Sequence, residues 1–482
     1  MLYNSYVFCL LFLPLVLAMY FFLNKYKRHQ MGLALLFVAS IIFYSYDHVK
    51  YVFLLLGSIL VNWLISRFLI QKRNRLYLCM GIALNIFIIF YFKYLNFFLE
   101  NINKLFRLEF GLREIILPLG ISFITFQQIS YLVDSYRGET KEYHFLEYAA
   151  FISFFPQLVA GPIVLHKEMV PQFRDIGKKS FNHENFAKGL YAFSIGLFKK
   201  VIIADTFNKA VVWGWENYDQ LVSLEIIIIM LSYTFQIYFD FSGYSEMAYG
   251  IGKMFNIDIP VNFNCPYKSC SIIEFWKRWH MTLTRFFREY VYIPLGGSKR
   301  GEIRTYINIM IVFFLSGLWH GANWTFILWG VLHGIAQMLN RIFASKWEKC
   351  NRIFQWLITF SFLNVMWLLF RADDIGQAWM LLTRAIKMET LTISADLQKC
   401  YVLPEIEWLI DLMPSIVGVL NKVNGLYIWT ALFVALGISL NEANIKEREF
   451  RPTFFNAIKT SFLLIWCIIS FSGVSVFLYF NF

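Results

Sequence analysis

Long apolar runs alternate along the chain with short polar, mostly basic, connections. Runs near 20 residues, the length that crosses about 30 Å of hydrocarbon, fall near 5–23, 51–70, 76–98, 221–239, 305–319, 323–343, 352–370, 425–440 and 457–480. Each predicts a membrane-spanning helix, and shorter runs at 31–46 and 408–420 span, re-enter or lie flat. Three stretches depart from plain spans. In FISFFPQLVAGPIVLHKEMVPQF (151–173), Pro156, Gly161 and Pro162 interrupt the run and predict a broken, re-entrant element beside a cavity. In TFQIYFDFSGYSEMAYGIGKMFNI (234–257), Asp240 and Glu246 follow an apolar run. A charge at the bilayer centre costs roughly 2.5–3.5 kcal/mol, so Asp240 is expected either to face a cavity or partner, or to lie at a helix end accepting bonds from amides. In SIIEFWKRWHMTLTRFFREYVYIPLGGSKRG (271–301), cations are interleaved with aromatics. Arg278 and Arg285 fall two turns apart on one helical face, with Trp279 and Phe286 beside them. This predicts a helix lying in the membrane interface, with aromatics in the headgroup layer, ended by the turn at Pro294, Gly296 and Gly297. The arginine forks also suit a phosphate-bearing ligand.

Composition agrees with the pattern. Of 482 residues, 58% are hydrophobic and only 16% charged, against about 25% charged in soluble domains. The chain reads as one polytopic membrane domain, 1–482, without repeats or long linkers. The net charge of +12 is divided among small clusters such as NKYKRHQ (24–30) and RFLIQKRNR (67–75). That is the positive-inside pattern, favourable beside anionic membrane lipids, and not a nucleic-acid patch. It puts both clusters in the cytoplasm and the N-terminus outside. No basic residue precedes the first run and no small-residue cleavage pattern follows it, so a cleaved leader is not expected. The seven cysteines are scattered and read as packing residues. No spacing suits a metal site or a phosphate-cradling loop, and none is expected.

Chemistry is concentrated in FFLSGLWHGANWTFILWGVLHG (313–334), which places His320, Asn323 and His333 in an apolar setting. An ordinary imidazole has a pKa of about 6.5, so it can stay uncharged at pH 7 and still accept a proton. Gly317 and Gly321 flank His320 and leave room for backbone or substrate. Asn323 is a candidate donor to an acyl oxygen or to His320. His333 follows after 13 residues, about 140° round a continuous helix, and suits a packing or supporting role. His280, among Arg and Trp, either orients substrate or is structural.

FWKRWHMTLTRFFREYVYIPLGG (275–297) is followed, 40 residues after His280, by LWHG (318–321). Together with YNSYVFCLLFLPL near the start, LPLGISFITFQQISYLVDSYRGE (117–139), FFPQLVAGPI (154–163), GLFKKVIIAD (196–205) and QIYFDFSGYSEMAYGIG (236–252), these blocks resemble the membrane-bound O-acyltransferase family, in its alginate O-acetyltransferase branch. The resemblance runs over about 3–343, and 350–482 adds further apolar helices without a comparable block. It implies an all-α polytopic fold with roughly 11–13 transmembrane or re-entrant helices around a central tunnel, in a bacterial cytoplasmic membrane. It implies acetyl-CoA as acyl donor with no bound cofactor, and an extracytoplasmic SGNH-type acetyltransferase as partner. His320 matches the family's catalytic histidine and His280 its second signature histidine. Asn323, Asp240, Arg278, Arg285 and His333 are the supporting candidates. Two other classes remain: D-alanyl transfer to teichoic acid from an acyl carrier protein, and a non-catalytic transporter or scaffold.

Overall fold

The computed structural model describes residues 1–46, 49–159, 161–403, 425–441, 444–448, 450–473, 475, 477 and 478; the apolar run at 408–420 lies outside them. The described residues form helices and no strand. Among the described residues, six helices are long and apolar enough to cross a membrane: Val7–Lys25, Lys50–Lys72, Arg75–Phe106, Ser223–Met254, Glu302–His320 and Arg352–Arg371. Shorter apolar helices follow at His29–Ser45, Leu426–Asn441 and Phe454–Ile469. The expected run at 323–343 becomes Trp324–Ile342. Ile121–Arg137 and His183–Phe198 complete the bundle; their buried faces carry polar residues such as Gln127, Gln128 and Ser194, which is why no apolar run announces them.

Ser223–Met254 is the central post. Of its apolar window 83% is buried, against 11% for Arg75–Phe106 at the periphery, as befits a helix that is hydrophobic all round. Small residues let it meet His183–Phe198 closely: a Cβ on Gly189 would lie 2.6 Å from the Gly250 carbonyl oxygen, and one on Gly196 would lie 2.5 Å from that of Gly243. Such small-residue seams are how apolar helices pack tightly where no hydrophobic drive separates lipid from protein.

The stretch 151–173 is broken as its prolines predict, into Phe145–Ser153, Phe155–Leu158 and His166–Arg174. Its backbone is satisfied by distant side chains: Tyr3 donates to the Phe155 carbonyl at 2.7 Å, and the Phe155 amide donates to Ser40 Oγ at 3.0 Å.

The stretch 271–301 differs from its prediction. It forms two short helices, Ile272–Arg278 and Met281–Phe287, parted at His280, whose φ of 44° lies in the left-handed region. Trp276, Trp279, Phe286 and Phe287 are buried, and Phe286 stacks on Phe126 at 4.0 Å between centroids. Aromatic spacing alone suits a core as well as a headgroup layer, and here the left-handed turn folds both helices inward. Arg278 and Arg285 therefore do not share one helical face. Cys79 and Cys350 are exposed, so they do not serve as packing residues.

Candidate active site

His320 is the last residue of helix Glu302–His320, and Gly321 continues in an extended conformation. The next helix, Trp324–Ile342, folds back against it. A Cβ on Gly317 would lie 2.4 Å from the Phe326 carbonyl oxygen, and one on Gly330 would lie 2.4 Å from that of Phe313. A Cβ on Gly321 would lie 2.1 Å from the Phe326 ring. The glycines around His320 thus admit the neighbouring helix and its side chains, and they fix the vertex that carries the imidazole. The residue is 3% exposed. Its ring sits 4.9 Å from that of Trp319, 5.1 Å from Trp329 and 5.2 Å from Phe370.

A helix leaves its last four carbonyls without intrahelical partners. Here three of them are met from another span. Within Arg75–Phe106, residues Phe90–Tyr94 form a π-helical turn, and such turns re-aim side chains. Lys93 Nζ donates to the carbonyls of Trp319 and His320 at 2.6 and 2.9 Å, and Tyr94 Oη donates to that of Leu318 at 2.5 Å. A cation at a helix C-terminus is also favoured by the helix dipole. Lys93, His320, Trp319 and residues 117–123 line a cavity of about 50 Å³, space for a few water-sized groups. A second cavity, of about 260 Å³, is lined by Ser316, one turn before His320, and by Trp276, Tyr292, Gln337, Arg288 and Arg341.

The other candidates are distributed around this vertex. His280 is fully buried, its ring 4.8 Å from Phe241 and 6.1 Å from Trp319; neither ring nitrogen bonds another residue among the described residues. Trp319 therefore touches both signature histidines. His333 belongs to the following helix, where its Nδ1 accepts from Trp276 Nε1 at 3.3 Å and its ring packs on Trp329. Asn323 does not reach His320 through its polar atoms. Its Oδ1 caps the Thr325 amide at 3.1 Å and its Nδ2 donates to the Asp373 carbonyl at 2.7 Å. Arg278 is held by Glu274 and the Asn264 carbonyl, and Arg285 by Glu168 and the Ile163 carbonyl. These arginines fasten loops to helices. Asp240 lies inside helix Ser223–Met254, not at its end. It pairs with Lys200 at 2.8 Å and accepts the Leu478 amide at 2.7 Å.

Two polar features escaped the sequence reading. One is Lys93, whose signal was a lone cation inside the apolar run 76–98. The other is a buried chain in which His166 bonds Asp134 at 3.0 Å and Tyr143 at 2.9 Å, with Tyr290 also donating to Asp134; its parts lie too far apart in sequence to be read together. Among the described residues, no group of three or more His, Cys, Asp or Glu is placed to hold a metal ion.

Residues 22–372 match the MBOAT, membrane-bound O-acyltransferase family. The chain belongs to that family and is an acyltransferase. Among its relatives, the "Peptidoglycan O-acetyltransferase" of Helicobacter pylori is 38% identical, over 100% of this chain and 98% of the relative. The "Probable alginate O-acetylase AlgI" of Pseudomonas aeruginosa is 37% identical over 79% of this chain and 74% of its own. The "Teichoic acid D-alanyltransferase" of Bacillus subtilis is 30% identical over 50% of this chain and 62% of its own.

Proposed function

We propose that this acyltransferase takes an acetyl group from cytoplasmic acetyl-CoA and passes it across the bacterial cytoplasmic membrane, for O-acetylation of a cell-wall or exported glycan. An extracytoplasmic SGNH-type acetyltransferase then completes delivery. The observation that carries this reading is the buried imidazole of His320, on a cavity at the end of a membrane span. The likeness to O-acetyltransferases over most or all of the chain favours acetyl over D-alanyl.

Chain direction supports the route. With the N-terminus outside, Lys72, Arg75 and the Lys299–Arg300 turn fall on the cytoplasmic side. Helix Glu302–His320 then rises about 28 Å over its 19 residues and carries His320 toward the outer side. The 260 Å³ cavity lies along the same helix, with Arg288 and Arg341 in its wall. Guanidinium forks match phosphate oxygens, so this cavity suits a phosphate-bearing thioester, and Ser316 brings it within a turn of His320. Thioesters are already activated, so the site has only to take the proton from the acceptor hydroxyl as it attacks. A neutral imidazole does that. His280, buried and in a strained backbone region that clusters at functional sites, acts as a second polar group behind Trp319.

Purified protein in proteoliposomes, supplied with acetyl-CoA or with a D-alanyl carrier protein, separates the alternatives. Thiol release from acetyl-CoA is expected, slowed about 10³-fold in His320→Ala. Preference for the carrier protein would overturn the acetyl reading. Full turnover by His320→Ala would overturn the assignment of His320 as the base.

A further inference from the structure

Lys93 is more than a helix cap requires. Tyr94, its neighbour, caps the Leu318 carbonyl with a neutral hydroxyl. A lysine within a span carries an insertion cost of roughly 2.5–3.5 kcal/mol, which a neutral donor would avoid. An ammonium has three N–H groups; the Trp319 and His320 carbonyls take two. Lys93 also lines the His320 cavity. The same cavity is lined by the start of helix Ile121–Arg137, whose N-cap, Gly120, has φ 69° and no side chain to cap the first amides. Gly120 is required there, because a Cβ would meet the Leu158 carbonyl oxygen at 2.6 Å. One cavity thus holds a base, a cation and the positive end of a helix dipole.

We propose that Lys93, aided by the start of helix Ile121–Arg137, is the oxyanion-binding pole of the site, facing His320 as the basic pole. This rests on the acyl-transfer reading above. The acceptor oxygen bonds to the thioester carbonyl carbon and gives its proton to the His320 imidazole, while the carbonyl π pair moves onto the oxygen held by Lys93. Collapse re-forms the carbonyl and breaks the C–S bond, and the imidazolium returns its proton to the departing thiolate. Oxyanion donors already in place are usually the largest single contribution to such a reaction.

The test compares thiol release from acetyl-CoA by wild type, Lys93→Gln, Lys93→Met, Lys93→Arg and His320→Ala in proteoliposomes. Lys93→Gln keeps two N–H donors for the two carbonyls and removes the charge and the third N–H. Its kcat is expected to fall about 10²–10³-fold, with KM for acetyl-CoA within about threefold, and Lys93→Arg is expected to recover at least tenfold of that loss. Lys93→Met should be no faster than Lys93→Gln. Wild-type kcat in Lys93→Gln, or an Arg variant as slow as the Gln variant, overturns the assignment. Should Lys93→Met fail to fold, the Gln and Arg pair still decides. Fast Lys93 variants beside an inactive His320→Ala would sink this inference alone, whereas an inactive wild type would sink the acetyl-CoA reading beneath it and a fully active His320→Ala the assignment of His320 as its base.

Discussion

Two regions of this molecule turn a lysine inward by the same backbone device and use it differently. At Lys199–Ala204, as at Phe90–Tyr94, a π-helical turn swings cations into the protein. Lys200 meets Asp205 at 2.9 Å, Asp240 at 2.8 Å and Ser475 Oγ at 2.9 Å, while Lys199 meets Glu246 at 2.6 Å. Those charges are answered by carboxylates, and the same carboxylates hold residues near the C-terminus, through Ser475 and the Leu478 amide. Among the described residues, Lys93 is met by two carbonyl dipoles and by the face of the Trp319 ring, 5.8 Å away, with no carboxylate, and it stands on a cavity beside an imidazole. The first arrangement is closed and ties helices together; the second keeps its charge available. Burial of a charge is therefore not what distinguishes a functional group in this membrane protein. The distinction lies in whether the partners neutralise it.

The comparison breaks if the closed cluster proves catalytic. Lys200→Met leaves Asp205 and Asp240 buried without their cation, and removing one partner of a buried pair costs about 3–5 kcal/mol. A large loss of thermal stability in detergent is expected, with turnover per folded molecule unchanged. A kcat loss without a stability loss would place Lys200 in the reaction. Gly317→Ala pushes a methyl against the Phe326 carbonyl. Overpacking of this kind costs about 1–3 kcal/mol, and because the same contact fixes the His320 vertex, both melting temperature and kcat should fall. Asn323→Ala removes an N-cap worth about 1 kcal/mol. It should lower the melting temperature slightly and leave kcat within about threefold; a hundredfold loss would mean that Asn323 reaches the acyl oxygen after all.

Much of this was legible in the sequence, and the gaps have physical causes. Apolar runs became helices, because about 20 apolar residues have little choice in lipid, but the run at 221–239 continues as helix to Met254 and the helix of the run at 457–480 ends at Ile469. The break at Pro156–Pro162 followed from proline's missing donor. His320 stood out because an imidazole in an apolar block needs a reason. The stretch 271–301 misled because aromatic periodicity does not say which solvent it faces, and the left-handed residue at His280 has no sequence mark. Ile121–Arg137 was hidden because its buried face is polar: Gln128 Oε1 accepts from Ser58 and Asn62 of helix Lys50–Lys72. Asp240 could not be placed without Lys200, 40 residues away. Lys93 was readable in principle, since an ionisable group inside a span is a functional candidate by default; its pairing with the end of another helix was not.

The central claim is that a neutral imidazole at position 320 performs the acyl transfer. It is tested most directly in a strain deleted for this gene and supplied with wild type or His320→Ala at equal membrane levels, by measuring base-releasable acetate on the purified cell-wall and exported glycans. The account predicts that His320→Ala leaves acetate at the level of the deletion strain while wild type restores it. Restoration by His320→Ala to the wild-type level would contradict it.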